Sequence, residues 1–357
     1  MQANLFEHEF KQAMALLTML LVAVGMPAHS AQPDFLTQLG VDVSNVRVIN
    51  TGNRFDFEDI TESAMLESNQ VIALLDDAIH QQYAIDNDIA EGLISIVALC
   101  PMPDERMVIV FSHEYGDGAQ NSLGVYDRLG RLTDYVDLGY GHDWDGYNID
   151  DDPKSEADVR SNTQLMVEAP EHLVVERTDQ HNLWTDGDPM RPEEIGQRIT
   201  TFHYLLDDQG HLQLTSIDKR DTGRLIDKHY SFVDLDNLKM SPMNDATLLD
   251  RLNTLLERDD VRADIARGEA DEDYYSDAAD KASLLVGGFF YNNPQQFFAW
   301  MAAHRDPAQN HLNSVMRDNM LSYRDDPSFV VQQATLIADP DTRNYIQQLI
   351  QDWVPKE

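Results

Sequence analysis

"VYDRLGRL" (Val125–Leu132) and "LLDDQGHL" (Leu205–Leu212) are two versions of one phrase. In each, an aspartate is followed three residues later by glycine, then by one residue and a leucine: Asp127 with Gly130, and Asp207 with Gly210. Glycine supplies the positive φ that a short antiparallel turn requires, so both read as β-hairpins. That reading sets the class of the whole central region. From Arg106 to about Val233, short runs rich in Val, Ile, Tyr and Thr recur: "RMVIVF", "SLGVYD", "LTDYVDL", "TQLMVEA", "HLVVERT", "ITTFHYLL", "HLQLTSI" and "KHYSFV". Turn signals fall between them at Asp117-Gly118, Asp145-Gly146 and Asp186-Gly187, and residues 178–196, with Pro189 and Pro192, read as the longest loop. About eight strands on short connections imply an antiparallel meander, half-buried, with a helix over one face.

Working outward, "NVRVIN" (Asn45–Asn50) alternates as a short strand. A helix is expected from Thr61, with Leu66, Ile72, Leu75 and Ile79 on its apolar face. "LISIVALC" (Leu93–Cys100) is a buried strand or a helix end, which periodicity cannot decide. From Asn244 the pattern turns helical, and "DATLLDRLNTLLER" sets Leu248, Leu249, Leu252, Leu255 and Leu256 on one stripe. Four steps, Asn293-Pro294, Asp306-Pro307, Asp326-Pro327 and Asp339-Pro340, place a capping side chain before a proline and read as helix starts. Their spacing hints at a helical repeat, but little identity accompanies it, and a small bundle is the simpler reading. The aromatics of "GGFFYNNPQQFFAW" (Gly287–Trp300) are expected to pack the helical part against the sheet. The fold class is therefore α+β: an antiparallel β-meander with an N-terminal helical segment and an α-helical C-terminal region. It divides as a signal peptide over 1–30, an α+β domain over 31–240 with strands at about 105–235, and a helical region over 241–357.

The signal peptide rests on "AMALLTMLLVAVGM" (Ala13–Met26), too short an apolar run to span a bilayer, broken by Pro27. "AHSA" then puts Ala28 and Ser30 at the small −3 and −1 positions, so cleavage is expected between Ser30 and Ala31. The leading segment has only Lys11 against Glu7 and Glu9, which is unusual for such a signal. A periplasmic or secreted protein follows, with no membrane segment after cleavage. Cys100 is the one cysteine, so no internal disulfide forms; ending an apolar run, it reads as a buried small hydrophobe.

The formal net charge is −37, with 45 Asp to 18 Glu and only 7 Lys to 19 Arg. A coat of Asp with little Lys suits high salt, which screens its self-repulsion. Nucleic acid is excluded as a ligand for want of clustered Lys and Arg. A basic protein partner fits the charge.

Candidate chemistry is sparse. "GHDWDGYNIDDDP" (Gly141–Pro153) offers Asp143, Asp145, Asp150 and Asp152 as oxygen ligands for calcium. It departs from the helix–loop–helix calcium loop at the first ligand, where Gly141 stands, so the alternative is an exposed acidic turn. Histidines 113, 142, 181, 203, 211 and 229 lie in the β region without an i,i+2 pair, although His203 and His211 flank one hairpin and could face each other across it. "HEYGDG" (His113–Gly118) gathers groups suited to acid–base work. No nucleophile motif or phosphate loop is present, and no catalytic residue is assigned. No cofactor is expected beyond a possible calcium ion. The leading expectation is a non-catalytic envelope or secreted binding or inhibitor-type protein. The alternatives are an envelope-polymer hydrolase using the acidic loops and a calcium-stabilised structural module.

Overall fold

The structure is a computed structural model describing residues 33–83, 94–115, 118–148, 156–184, 193–226, 232–271, 274–317 and 328–353; over 76–83 and 140–148 it describes the backbone. One mixed sheet organises the chain. Its strands are β1 (Arg47–Val48), β2 (Arg54–Asp56), β3 (Ala64–Met65), β4 (Ile94–Pro101), β5 (Met107–Tyr115), β6 (Gly118–Tyr126), β7 (Leu132–Asn148), β8 (Glu156–Ala169), β9 (His172–Trp184), β10 (Glu193–Leu206) and β11 (Leu212–Gly223). From β4 to β11 each strand pairs antiparallel with the next, which is the meander that the hairpins imply. β1 adds parallel to β4, and β3 adds to it antiparallel. The described part of "LISIVALC", Ile94–Cys100, is thus strand, buried on both faces because both are covered.

The two hairpins form as read. Gly130 and Gly210 carry φ of 77° and 86°. Asp127 and Asp207 each accept backbone N–H bonds from two residues of their own turn, Leu129 and Arg131 in one and Gln209 and His211 in the other. The hairpins also meet. Thr133 Oγ1 donates to Gly210 O at 2.8 Å, and the Leu212 N–H donates to Asp134 Oδ2 at 2.7 Å. β8, β9 and β10 lie between β7 and β11 in the sheet, so this contact requires the sheet to curl on itself. Arg106, in the β4–β5 turn, reaches the Asp207 carbonyl and closes the same end. The inside of the curl is one apolar core, including Val108, Val110, Leu123, Val125, Val136, Leu165, Val175, Phe202 and Tyr204. Each such side chain stabilises the fold by roughly 1.5–3 kcal/mol through burial.

β2 fills a gap in the curl. β7 pairs with the first half of β8 up to His142↔Asn162, and β2 pairs with the second half, Arg54↔Met166 to Asp56↔Gln164. The parting occurs where β7 is irregular around Gly139, whose φ is 70°. Phe55 and Phe57 enter the core through that gap.

Among the described residues helices cover only part of the outer face. α1 (Asp34–Gln38) and α2 (Ser68–Tyr83) pack Leu36, Val71, Leu74 and Leu75 on Ile96, Leu99, Ile109, Phe111 and Tyr126 of β4–β6. The Tyr126 hydroxyl donates to the Leu74 carbonyl at 2.8 Å. α2 starts at Ser68, later than Thr61, because Ala64 and Met65 pair with β4. Its buried stripe is Val71, Leu74 and Leu75, while Ile72 is 48% exposed.

The helical body is α3 (Val233–Lys239), α4 (Leu248–Leu255), α5 (Asp259–Ala270), α6 (Asp277–Asn292), α7 (Pro294–Ala303), α8 (Leu312–Val315), α9 (Ser328–Thr335) and α10 (Pro340–Trp353). It has its own core, in which Phe290, Phe297 and Phe298 pack edge-to-face. The aromatics therefore join helix to helix rather than helix to sheet. That core includes Leu235 and Leu238 of α3. The expected strand "KHYSFV" ends in α3, and its first four residues lie outside the described ones. Of the four helix starts, Asp339 caps α10 through Thr342 N at 2.7 Å. Pro294 starts α7, but Asn293 spends its side chain on the Met243 carbonyl. Asp306 forms only a turn, with Ala308 N at 3.0 Å, and Asp326 lies outside the described residues. Among the described residues no helix is long and apolar enough to cross a membrane.

Candidate functional site

The inner face changes character along the strands. One step past the apolar core, Thr163, Arg177 and Thr200 stand side by side on β8, β9 and β10, and the next row is Ser161, Asp179 and Arg198. Ser161, Thr163, Arg177, Asp179 and Thr200 are all buried. Arg177 Nε donates to Asp179 Oδ1 at 2.8 Å, and Ser161 Oγ donates to the same oxygen at 2.6 Å. Arg198 makes a two-pronged pair with Asp221 at 2.7 and 2.6 Å. The arginines of this band meet carboxylates within hydrogen-bond distance, as buried charge requires. The band holds the strands in register.

The calcium candidates land beside this band. Asp143 and Asp145 are strand residues, pairing in register with Ser161 and Val159. The expected turn at Asp145-Gly146 is therefore mid-strand, because β8 pairs with β7 as far as Asn148↔Glu156. Asp150 and Asp152 lie outside the described residues, so the four are not seen together. The expected loop 178–196 is shorter than read, since β9 runs to Trp184 and β10 begins at Glu193.

"HEYGDG" does not assemble as an acid–base group. His113 and Glu114 are consecutive strand residues on opposite faces. His113 is buried and burial holds its pKa below the ordinary imidazole value, while Glu114 is exposed. Asp117 is outside the described residues. Cys100 is fully buried and burial pushes its thiol far up, as expected of a core residue.

Among the described residues no helix packs on the outer face of β8–β10, unlike that of β4–β6. Along β8, β9 and β10 inner residues are buried and the outer ones are mostly part-exposed. Arg54, Gln164, Met166, Glu168, Val174, Glu176, Thr201 and His203 line a groove there. Arg54 donates to Gln164 Oε1 at 2.7 Å, Gln164 donates to Asp56 Oδ2 at 2.7 Å, and Arg54 lies 3.7 Å from Glu176. β2 is thereby tied to the groove wall.

At the end of the groove three metal-type donors converge. Glu168, His172 and His203 each offer a ligand atom, all within 4.8 Å of one another. His172 Nδ1 lies 2.8 Å from Glu168 Oε2, and the two imidazole rings are 5.6 Å apart. His203 Nε2 lies 3.3 Å from Asp218 Oδ2 on β11. Two irregularities build the cluster. The β8–β9 register slips between Val167 and Ala169, and the extra residue is Glu168. The β10–β11 register slips between His203 and Tyr204. Bulges re-aim side chains in this way. His203 therefore faces Asp218 and His172, and not His211 across the hairpin, because its register partner on β11 is Ser216.

No protein-family model, curated protein or solved structure matches this chain.

His172 and Glu168 were invisible to spacing rules. The only signal available was "EAPEH" (Glu168–His172), a Pro-containing turn flanked by a carboxylate and an imidazole that a two-residue hairpin brings together.

Proposed function

We propose that this chain is an exported, non-catalytic binding protein that takes a basic protein partner on the outer face of β8–β10. One observation carries the reading: the sheet is covered on both faces at β4–β6, but among the described residues no helix lies over its polar outer groove at β8–β10. A polar, partly exposed strand surface is what a partner can cover at small desolvation cost. Glu168 and Glu176 in the groove, Asp218 beside it and the net charge of −37 favour a cationic partner and speed its approach. Export is supported by the apolar run Ala13–Met26 and the small residues that follow. The separation of His113 from Glu114 onto opposite faces weighs against the hydrolase alternative.

The test is a photo-crosslinking residue placed at Thr201 in the groove and, separately, at the exposed hairpin residue Leu129. In the native cell, a discrete protein adduct at Thr201 without one at Leu129 supports the reading. Adducts at neither position, or the same adducts at both, refute it.

A further inference from the structure

We propose that Glu168, His172 and His203 bind one divalent transition-metal ion of the zinc and copper class. The argument starts from the donors. Two imidazoles and one carboxylate suit borderline metals; calcium and magnesium take oxygen ligands instead. Zinc bonds to nitrogen and oxygen are about 2.0–2.2 Å, so two donors on one ion stand at most roughly 4.4 Å apart. The three donor atoms already lie within 4.8 Å of one another. Glu168 is the exposed member of the three, and the two imidazoles are part-buried. The backbone is constrained: a two-residue turn, Pro170-Glu171, ties Glu168 to His172, and His203 sits diagonally across the β9–β10 pair. The donors therefore come from three neighbouring strands of a rigid sheet.

The surroundings fit a cation. Asp218, 3.3 Å from His203, sets a carboxylate behind that imidazole, where metal-bound histidines usually have one. Without metal, His172 and Glu168 have a simpler role as a close imidazole–carboxylate surface pair at 2.8 Å. The two roles differ in one measurable respect, since only a metal site requires His203. The proposal stands apart from the partner-binding reading: the ion needs no partner, and the crosslinking test at Thr201 can fail while metal binding persists.

Isothermal titration of zinc chloride into the metal-stripped chain tests it, in molar sodium chloride with excess magnesium to silence the acidic coat. The expected result is saturable binding of one ion per chain. His172→Ala and His203→Ala should each weaken it by at least about tenfold, while His211→Ala leaves it unchanged. No saturable zinc binding, or unaltered affinity in the His172→Ala/His203→Ala double variant, overturns the proposal. A second measurement needs no variant. Substoichiometric copper(II) should broaden the imidazole NMR signals of His172 and His203 before those of other histidines. Broadening that begins elsewhere overturns it equally.

Discussion

Asp134 is the residue on which the curl of the sheet turns. It is fully buried at the start of β7, where Oδ2 accepts the Leu212 N–H at 2.7 Å and Oδ1 accepts the Tyr135 N–H at 2.9 Å and the Asn244 side-chain N–H at 3.4 Å. The first of these joins β11 to β7 across three intervening strands. Asp134→Ala strands two close backbone donors in a buried place, at about 1–3 kcal/mol each, so the expected loss is about 2–6 kcal/mol. Against a typical total of about 5–15 kcal/mol this is severe. The pH dependence fixes the mechanism. Burial raises the Asp134 carboxyl well above its ordinary range, against the bonds from Leu212 and Asn244. A group whose folded pKa is raised contributes stability that is present at low pH and lost as pH rises through the raised value. The gap between wild type and Asp134→Ala should therefore narrow as pH rises. Urea unfolding of both proteins at several pH values between mildly acidic and mildly alkaline measures it. A gap that stays below about 1 kcal/mol, or widens with rising pH, refutes the assignment of Asp134 as the pin of the closed end.

Three further outcomes follow from the same structure. Gly210→Ala forces an L residue to φ 86° with its Cβ 2.9 Å from Thr133 Oγ1, and should cost about 1–3 kcal/mol in urea unfolding; Gly52→Ala, at φ 84° with open space, should cost only the backbone part of that. Burial lowers the His113 pKa, so its contribution to stability is present above the ordinary imidazole value near 6.5 and lost as pH falls below it. His113→Leu should lose less stability than wild type between pH 7.5 and 5.5, and an equal or greater loss contradicts this. The coat that leaves a net charge of −37 repels itself, so molar sodium chloride should raise the melting temperature; a flat or falling response removes the reading of a salt-suited surface.

The sequence was legible where local chemistry and pairing agree. Asp127–Gly130 and Asp207–Gly210 announce their turns because φ is set within a few residues. The second half of β7 was illegible because Gly141, Gly146 and the aspartates between them carry turn signals, yet β8 pairs with that stretch residue by residue. Long-range pairing outweighed local preference. α2 was misplaced for the same reason, since Ala64 and Met65 were claimed by β4. The Glu168–His172–His203 cluster could not be read from spacing at all. It depends on a bulge at Glu168 and a diagonal step between strands, and neither leaves a periodic trace.

The central proposal is that the outer face of β8–β10 is open to a protein partner while the inner face is closed. Thr200 and Thr201 are neighbours on β10 that point to opposite faces, Thr200 being buried and Thr201 lining the groove. In a Cys100→Ala background, the labelling rates of Thr200→Cys and Thr201→Cys by a maleimide reagent, with and without extract of the native cell envelope, test the claim. The account predicts fast labelling at position 201 that the extract slows, and slow labelling at position 200 that it leaves alone. Equal rates at the two positions, or protection by the extract at position 200 alone, would contradict it.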